Sequence, residues 1–446
     1  MEYFLNRDGQ QRGPYDEATL RSMLADQQVL PTDLIWNEQM PDWATVESIF
    51  PTSTPAPAPI PVPIPMPSPV TVDKKVTFPL DLSPAPEADS SDFEEGLSER
   101  TLELVADLAA TRKRLREEVG RVIVGQEEVL DLIMVSLFAG GHCLMTGVPG
   151  LAKTLIVSSL AKTLSLDYKR IQFTPDLMPT DITGTMVLAE GDQRQRSFTF
   201  RSGPIFTNML LADEINRTPP KTQAALLEGM QERRVTVGGV TRPLPAPFVV
   251  LATQNPLEQE GTYALPEAQL DRFLFMINVD YPTLAEEEDI LLRTTLDSMP
   301  TLGAMISGEQ IIQFQKLVRR VPVSRHVANY AARLARSTRP SDPIAPDFIP
   351  KWVQWGSGPR AGQSLLLAAK AHVLLSGRFN VSVRDVRKFV HPVFRHRFGL
   401  NFTAVSEGYD TDTIADWLLD SVPVTYGEQP KRSFFGTLLG RKAKVS

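Results

Sequence analysis

Cysteine is almost absent from this chain. The single one, Cys143, rules out an internal disulfide and is compatible with a reducing compartment. Histidine is scarce as well, and the five present show no metal-ligand spacing. No run of about 18 apolar residues occurs, so no membrane span is expected. An excess of positive charge is missing too: 46 Lys and Arg stand against 53 Asp and Glu, a formal net charge of -7. A sequence-independent nucleic-acid binder needs a basic stripe, so that class of function fits poorly. The first residues, MEYFLNRDGQQ, are polar and show no secretory leader, which makes the cytoplasm the expected address.

What is present supports a folded, multi-unit protein. The 446 residues suggest about two to four compact units, and 42% hydrophobic residues can bury a real core. The 37 prolines are unevenly placed: from Pro55 to Pro69 every second residue is proline. Such a run has lost most of its backbone donors, so it is expected to extend as polyproline II rather than enter a helix or sheet. The acidic stretch through EADSSDFEEG is poor in large apolar residues and is expected to be disordered. These features define a small unit at 1–50, a proline-rich and acidic linker at 51–97, a body from 98, and a basic tail at 426–446. The tail, KRSFFGTLLGRKAKVS, is read as a frayed terminus ahead of a contact with an acidic partner or membrane surface.

The body opens on a helical pattern, with Leu102, Leu104, Leu108 and Leu115 recurring among charges. Apolar runs then alternate with amphipathic segments. The strand candidates are His142–Thr146, Tyr168–Phe173, Thr207–Ala212, Phe248–Thr253 and Phe275–Val279. Strands alternating with helices predict a parallel α/β sheet over 98–282. From about Thr283 the pattern turns helical, as in QSLLLAAKAHVLLS, and predicts a helical lid over 283–425. His142 and Cys143 sit in a predicted strand and are read as core.

Gly147-Val148-Pro149-Gly150-Leu151-Ala152-Lys153-Thr154 follows the first of those strands and opens a helix with Leu155. This is the context of a P-loop: backbone N–H groups of a tight Gly-rich turn converge on one anion, and a helix N-terminus adds positive potential. Lys153 is placed to reach the β- and γ-phosphates of ATP, and Thr154 to ligate Mg²⁺. The motif's second glycine is Ala152, acceptable if that residue already has helical φ. Downstream, Met209-Leu-Leu-Ala-Asp213-Glu214 is an apolar strand ending in two carboxylates. A buried parallel strand delivers its C-terminal residues to the ligand crevice. There Asp213 can hold Mg²⁺ through water and Glu214 can orient or deprotonate an attacking water.

Together GVPGLAKT, FTPDLMPTDITG, GPIF, LLADEINRTPPKTQAALLEGMQE, ATQNP, LPEAQLDRF and GPRA resemble the MoxR family of AAA+ ATPases, over about Leu102 to Arg397. The resemblance implies an AAA+ P-loop NTPase core with a parallel sheet and a C-terminal helical lid. It also implies further roles. Asn255 resembles sensor 1, Arg272 the arginine finger that acts on a neighbour's nucleotide, and Arg360 sensor 2, at a lid-helix start facing the phosphates. Val124 and Gly125 resemble the segment that contacts adenine. Asn216 and Arg217 are left open between a neighbouring site and a structural role. Thr183–Pro204 and Arg234–Pro247 look like hairpin insertions, which in the family face a partner or the central pore. The implied function is ATP hydrolysis in a ring, expected to be a hexamer, that remodels or matures protein clients with von Willebrand A-domain partners. The competing reading is a nucleotide-gated assembly scaffold with incidental turnover; a DNA motor fits poorly with the acidic charge.

Residues 1–50 resemble a GYF-like domain, a small α+β fold, through Tyr3, Gly13-Pro14-Tyr15, Trp36 and Trp43. Those aromatics serve either as the packing of a marginal core or as a groove for a proline-rich peptide.

Overall fold

The computed structural model describes residues 2–7, 10–25, 29, 33–37, 40, 43–50, 99–190, 196–256, 261–295 and 300–425. The linker and the basic tail lie outside these residues. Two units divide the chain, one containing the described residues up to 50 and the other those from 99 onward.

In the first unit, β1 (Glu2–Arg7), β2 (Gln10–Asp16), β3 (Leu34–Trp36) and β4 (Ala44–Thr45) form an antiparallel sheet in the order β2-β1-β3-β4, with α1 (Glu17–Ala25) and α2 (Val46–Ile49). Alternation along the strands sorts the side chains. Tyr3, Leu5 and Ile35 join Leu20, Val29, Val46 and Phe50 in the core, with Tyr15 packed partly buried against it.

In the second unit, α3 (Glu99–Gly120) and α4 (Glu127–Ala139) precede the sheet. Helical periodicity holds in α3, where Val105, Leu108, Leu115 and Val119 are buried; the side chains of Leu102 and Leu104 lie outside the described set. The strands β5 (Cys143–Thr146) and β6 (Tyr168–Gln172) are separated by α5 (Lys153–Thr163). Next come α6 (Pro179–Thr183), the hairpin β7 (Gly184–Glu190) and β8 (Arg196–Ser202), and β9 (Met209–Asp213). Helix α7 (Pro220–Glu232) leads into a second hairpin, β10 (Arg234–Val237) and β11 (Val240–Pro243), then β12 (Val249–Gln254), α8 (Glu267–Leu270) and β13 (Phe275–Asn278). The five strands predicted as buried form one parallel sheet, ordered β13-β5-β12-β9-β6. Both faces are covered. Cys143, Met145, Met209 and Leu211 point into one apolar cluster, while Leu144, Leu210, Ala212 and Val250 point into another. This two-sided burial makes the interior strands β5, β9 and β12 largely apolar runs, which is why they were legible, whereas β6 at the sheet edge carries exposed Lys169 and Arg170.

Both predicted insertions are hairpins. In the second, Gly238 and Gly239 turn at φ 60° and 76°, the doubly positive geometry of a two-residue turn.

After β13 the chain is helical: α9 (Leu284–Thr294), α10 (Gly308–Arg320), α11 (Arg325–Ser337), α12 (Ile349–Trp352), α13 (Pro359–Leu375), α14 (Val383–Arg387), α15 (Val390–Phe394), α16 (Phe402–Ser406) and α17 (Thr411–Ser421). The exception is a short antiparallel ladder between β14 (Val353–Trp355) and β15 (Gly399–Leu400). Lid residues such as Leu334, Leu365 and Val390 belong to the same apolar cluster as one face of the sheet. Sequence capping signals explain the helix starts. Thr283 with Glu286, Ser307 with Gln310 and Ser382 with Asp385 form capping boxes, and Pro359 opens α13.

Candidate functional site

The turn between β5 and α5 is a cradle of backbone. Gly150 has φ +88°, and a Cβ there would meet nothing within 4 Å, so its face is open to a ligand. At Gly147 a Cβ would come within 2.6 Å of the Val279 carbonyl, so the close approach of β13's end requires glycine. Lys153 folds back over the turn, its Nζ donating to the carbonyls of Gly147 at 2.5 Å and Val148 at 3.0 Å. Partial burial pulls its ammonium below the ordinary lysine value, opposed by the charges of Asp213 and Glu214.

Ala152 departs from expectation. It caps α5 in the left-handed region, φ 52° and ψ 18°, not with helical φ. An L-residue there costs about 1–2 kcal/mol, whereas glycine in place of alanine frees the unfolded chain by about 0.4–1 kcal/mol. Ala152→Gly is therefore expected to be neutral to about 1 kcal/mol stabilising with nucleotide binding kept, read as the denaturation midpoint and the ATP affinity. A clear destabilisation would show that Ala152 is not held left-handed.

The carboxylates are fixed by neighbours on the adjoining strands. Thr253 on β12, 1% exposed, accepts the Glu214 N–H at 2.8 Å and donates to Asp213 Oδ1 at 2.6 Å. Its one hydroxyl sets both acids, and holds Glu214 at φ 56°, a strained backbone for a non-glycine residue. From β6, Arg170 donates to Asp213 Oδ2 through Nε at 3.0 Å and Nη2 at 2.6 Å. Gln172 donates to Glu214 Oε2 at 2.7 Å, and Arg217 donates to the same oxygen at 2.9 Å. The Arg170 side chain is 46% exposed, so this pair is worth about 1 kcal/mol or less and can yield to a stronger cation.

Pro149 to Leu155, Arg170, Asp213, Glu214, Thr253 and Asn255 enclose a cavity of about 380 Å³. The donors suit a magnesium nucleotide. Backbone N–H groups at the open turn and the Lys153 ammonium fit phosphates, and the oxygens of Thr154 and Asp213 are the hard, sparse ligand set Mg²⁺ takes beside phosphates and water. Among the described residues no group of three or more His, Cys, Asp or Glu could hold a metal by itself. Val124 and Gly125 lie just before α4, with Gly125 at φ +67° packed against Glu286; neither borders this cavity.

Arg272 and Arg360 lie elsewhere. They line a second cavity, of about 430 Å³, with Arg233, Arg319 and Arg397, and it shares no lining residue with the first. Arg360 does start a lid helix, as expected, but within the chain it lines this second cavity and not the one at the β5–α5 turn. Its Nη1 lies 3.3 Å from Asp271 Oδ2, next to Arg272 in sequence. Among the described residues no acidic side chain pairs with Arg272. Arg397, 3% exposed, clamps the same loop through Asp271 Oδ1 at 2.9 Å and the carbonyls of Phe273 and Leu274. Burial lowers its guanidinium to about 10, and Asp271 opposes the shift.

His142 and Cys143 are core, as read from the sequence. His142 is pushed down to about 4 by burial, and its ring bridges the Val250 N–H and the Met230 carbonyl. Burial pushes the Cys143 thiol up to about 12, which leaves it inert. Sequence reasoning missed Thr253, Arg170, Gln172 and Arg397. A signal existed for two of them: Arg170 and Gln172 flank buried Ile171, so strand alternation puts both polar side chains on one face at the carboxyl end of β6.

In the first unit, Phe4, Trp36 and Trp43 form a strip outside the core. Phe4 and Trp36 have ring centroids 6.4 Å apart, and Trp36 and Trp43 6.3 Å. The Trp36 indole N–H donates to the Met40 carbonyl at 3.0 Å. Both tryptophans are half-buried and stand apart from the core cluster.

A parallel sheet carrying a P-loop, a strand ending in Asp-Glu and a helical lid define a P-loop ATPase of the AAA+ class. Comparison with known proteins agrees. Residues 142–275 match the ATPase family associated with various cellular activities (AAA), residues 351–416 the AAA lid domain, and residues 3–49 GYF domain 2. The chaperone MoxR1 of Mycobacterium tuberculosis is 41% identical over 312 residues, 70% of this chain and 82% of that protein. YeaC of Bacillus subtilis, itself uncharacterised, is 42% identical over 311 residues, 69% of this chain and 93% of that protein. A crystal structure of a candidate ATPase from Cytophaga hutchinsonii superposes with a TM-score of 0.68 at 39% identity, covering 72% of this chain and 97% of that one. The chain belongs to the MoxR family of AAA+ ATPases, with a GYF-type domain at its N-terminal end. It is a nucleotide-binding ATPase with a chaperone role. No helix among the described residues is long and apolar enough to cross a membrane.

Proposed function

We propose that this ATPase hydrolyses ATP with Mg²⁺ at the contacts of a ring, which we take to be a hexamer, and uses the cycle to remodel or mature protein clients. The observation that carries the reading is the split of its charged groups into two cavities. Lys153, Thr154, Asp213, Glu214 and Asn255 converge on one, and Arg272 and Arg360 on another that shares none of its walls. Each is half of a hydrolytic site, so two copies complete it. Lys153 binds the β/γ-phosphates, and Asp213 and Thr154 hold the cation, which when bound offsets phosphate charge. Glu214 orients and deprotonates water, assisted by Asn255. The neighbour's Arg272, with Arg360 beside it, stabilises charge developing on the transferred group. Val124 and Gly125 we assign to the adenine side.

Helix α9 supports assembly: it buries no residue, and Leu284, Leu291 and Leu292 are 84%, 60% and 63% exposed. On the β7–β8 hairpin, Phe198 at 72% exposed suits a client contact. The chaperone role supports clients as substrates, and the family resemblance adds von Willebrand A-domain partners and a cytoplasmic setting. Capture tests this directly. A Glu214→Gln chain should hold ATP and client together; recovery of no protein in an ATP-dependent manner would leave only the scaffold reading.

For the first unit we propose proline-rich ligands, including the chain's own 54–70 segment offered by a neighbour, because the strip of Phe4, Trp36 and Trp43 lies off the core. Titrating residues 1–51 with that peptide should shift NMR signals around Trp36 and Trp43. No shift at millimolar peptide would return these residues to a purely structural role.

A further inference from the structure

Arg170 has no part in the roles assigned so far, yet it is the only side chain of β6 that reaches the candidate metal ligand. Both its Nε and Nη2 are spent on one oxygen, Asp213 Oδ2, at 3.0 and 2.6 Å, while Thr253 occupies Oδ1 at 2.6 Å. Nη2 also donates to Gln172 Oε1, and the Gln172 amide donates in turn to Glu214 Oε2 at 2.7 Å. One guanidinium thus sets both carboxylates. The register explains it: Gln172 lies opposite Asp213 and Arg170 opposite Leu211, so the two side chains rise on the same face beside the acids.

We propose that Arg170 is a positioning residue that competes with the divalent cation for Asp213. The inference rests on the nucleotide-site reading above. A guanidinium and a divalent cation on one carboxylate repel each other, so each weakens the other's hold. Without the cation, Arg170 neutralises Asp213 and keeps it from repelling the nucleotide phosphates. With the cation, that ion pair opens. The half-exposed position of the side chain leaves it room to swing out. Its loss therefore has opposite consequences in the two states: nucleotide binding without metal weakens, and binding with metal is kept or strengthened.

The test is calorimetric titration of the full chain with a non-hydrolysable ATP analogue, in EDTA and in saturating Mg²⁺, with the ratio of the two Kd values as the readout. In Arg170→Gln the ratio of EDTA to Mg²⁺ Kd should rise about fivefold, the measure of one partly exposed ion pair. Arg170→Lys, which keeps the charge, should stay near the wild-type ratio. In an Asp213→Asn background, Arg170→Gln should no longer move the ratio, because the shared carboxylate is gone. An unchanged ratio in Arg170→Gln would overturn the proposal, as would the same shift with Asp213 removed, which would mark a general effect of positive charge. If the wild-type chain bound the analogue in neither condition, the nucleotide-site reading itself would fail, a distinct result.

Discussion

Lys153→Ala should lose nucleotide binding by two orders of magnitude or more. In the structure Nζ lies on the carbonyls of Gly147 and Val148, inside the turn proposed to take the phosphates. A hydrogen bond from a charged group is worth about 1.5–3 kcal/mol, and one ammonium bridging two phosphates makes more than one, which reaches the stated hundredfold. No substitute stands ready. Arg170, the other cation lining the cavity, is committed to Asp213. Calorimetry with ATP measures the loss directly, and near wild-type affinity would overturn the phosphate-site assignment.

Glu214→Gln should separate binding from chemistry. Glutamine keeps the size and can still accept from Gln172 and Arg217, so ATP affinity should stay close to wild type. Loss of the carboxylate base should slow turnover at least about 100-fold. The effect is expected to be on kcat, because water is activated only in the reacting complex. Steady-state turnover beside equilibrium ATP binding checks both halves. Wild-type turnover would remove Glu214 from the mechanism, and lost binding would make it a structural prop for the strained backbone at φ 56°.

The parts of this molecule legible in sequence are those set by local physics. Five strands were located to within about two residues of their observed ends; for the interior strands β5, β9 and β12 the reason is that packing on both faces demands mostly apolar residues. That the 147–154 turn meets Asp213-Glu214 at one cavity was legible because both follow apolar strands that end on the same side of the sheet. What sequence hid depends on docking and register. Only the parallel pairing of β6 with β9 brings Arg170 and Gln172 to the acids, and only β12 beside β9 brings Thr253. Arg360 was rightly placed at a helix start, but with Arg397 buried against the Asp271–Leu274 loop it pairs with Asp271. Ala152 hid its left-handed backbone because alanine, unlike glycine, does not announce it. In the first unit the sequence could not tell core from groove, since both use aromatics. Strand alternation separates Tyr3 and Leu5 from Phe4.

The central claim is that hydrolysis belongs to a pair of subunits, one supplying Glu214 and the next Arg272. Mixing Arg272→Ala chains with Glu214→Gln chains tests it most directly. Each variant alone should be nearly inactive. In mixed rings some contacts pair a wild-type Glu214 with a wild-type Arg272 from its neighbour, so ATP hydrolysis should reappear and vary with the mixing ratio. No recovery at any ratio, with mixed rings shown to form, would contradict the account, and so would full turnover by a stable monomer.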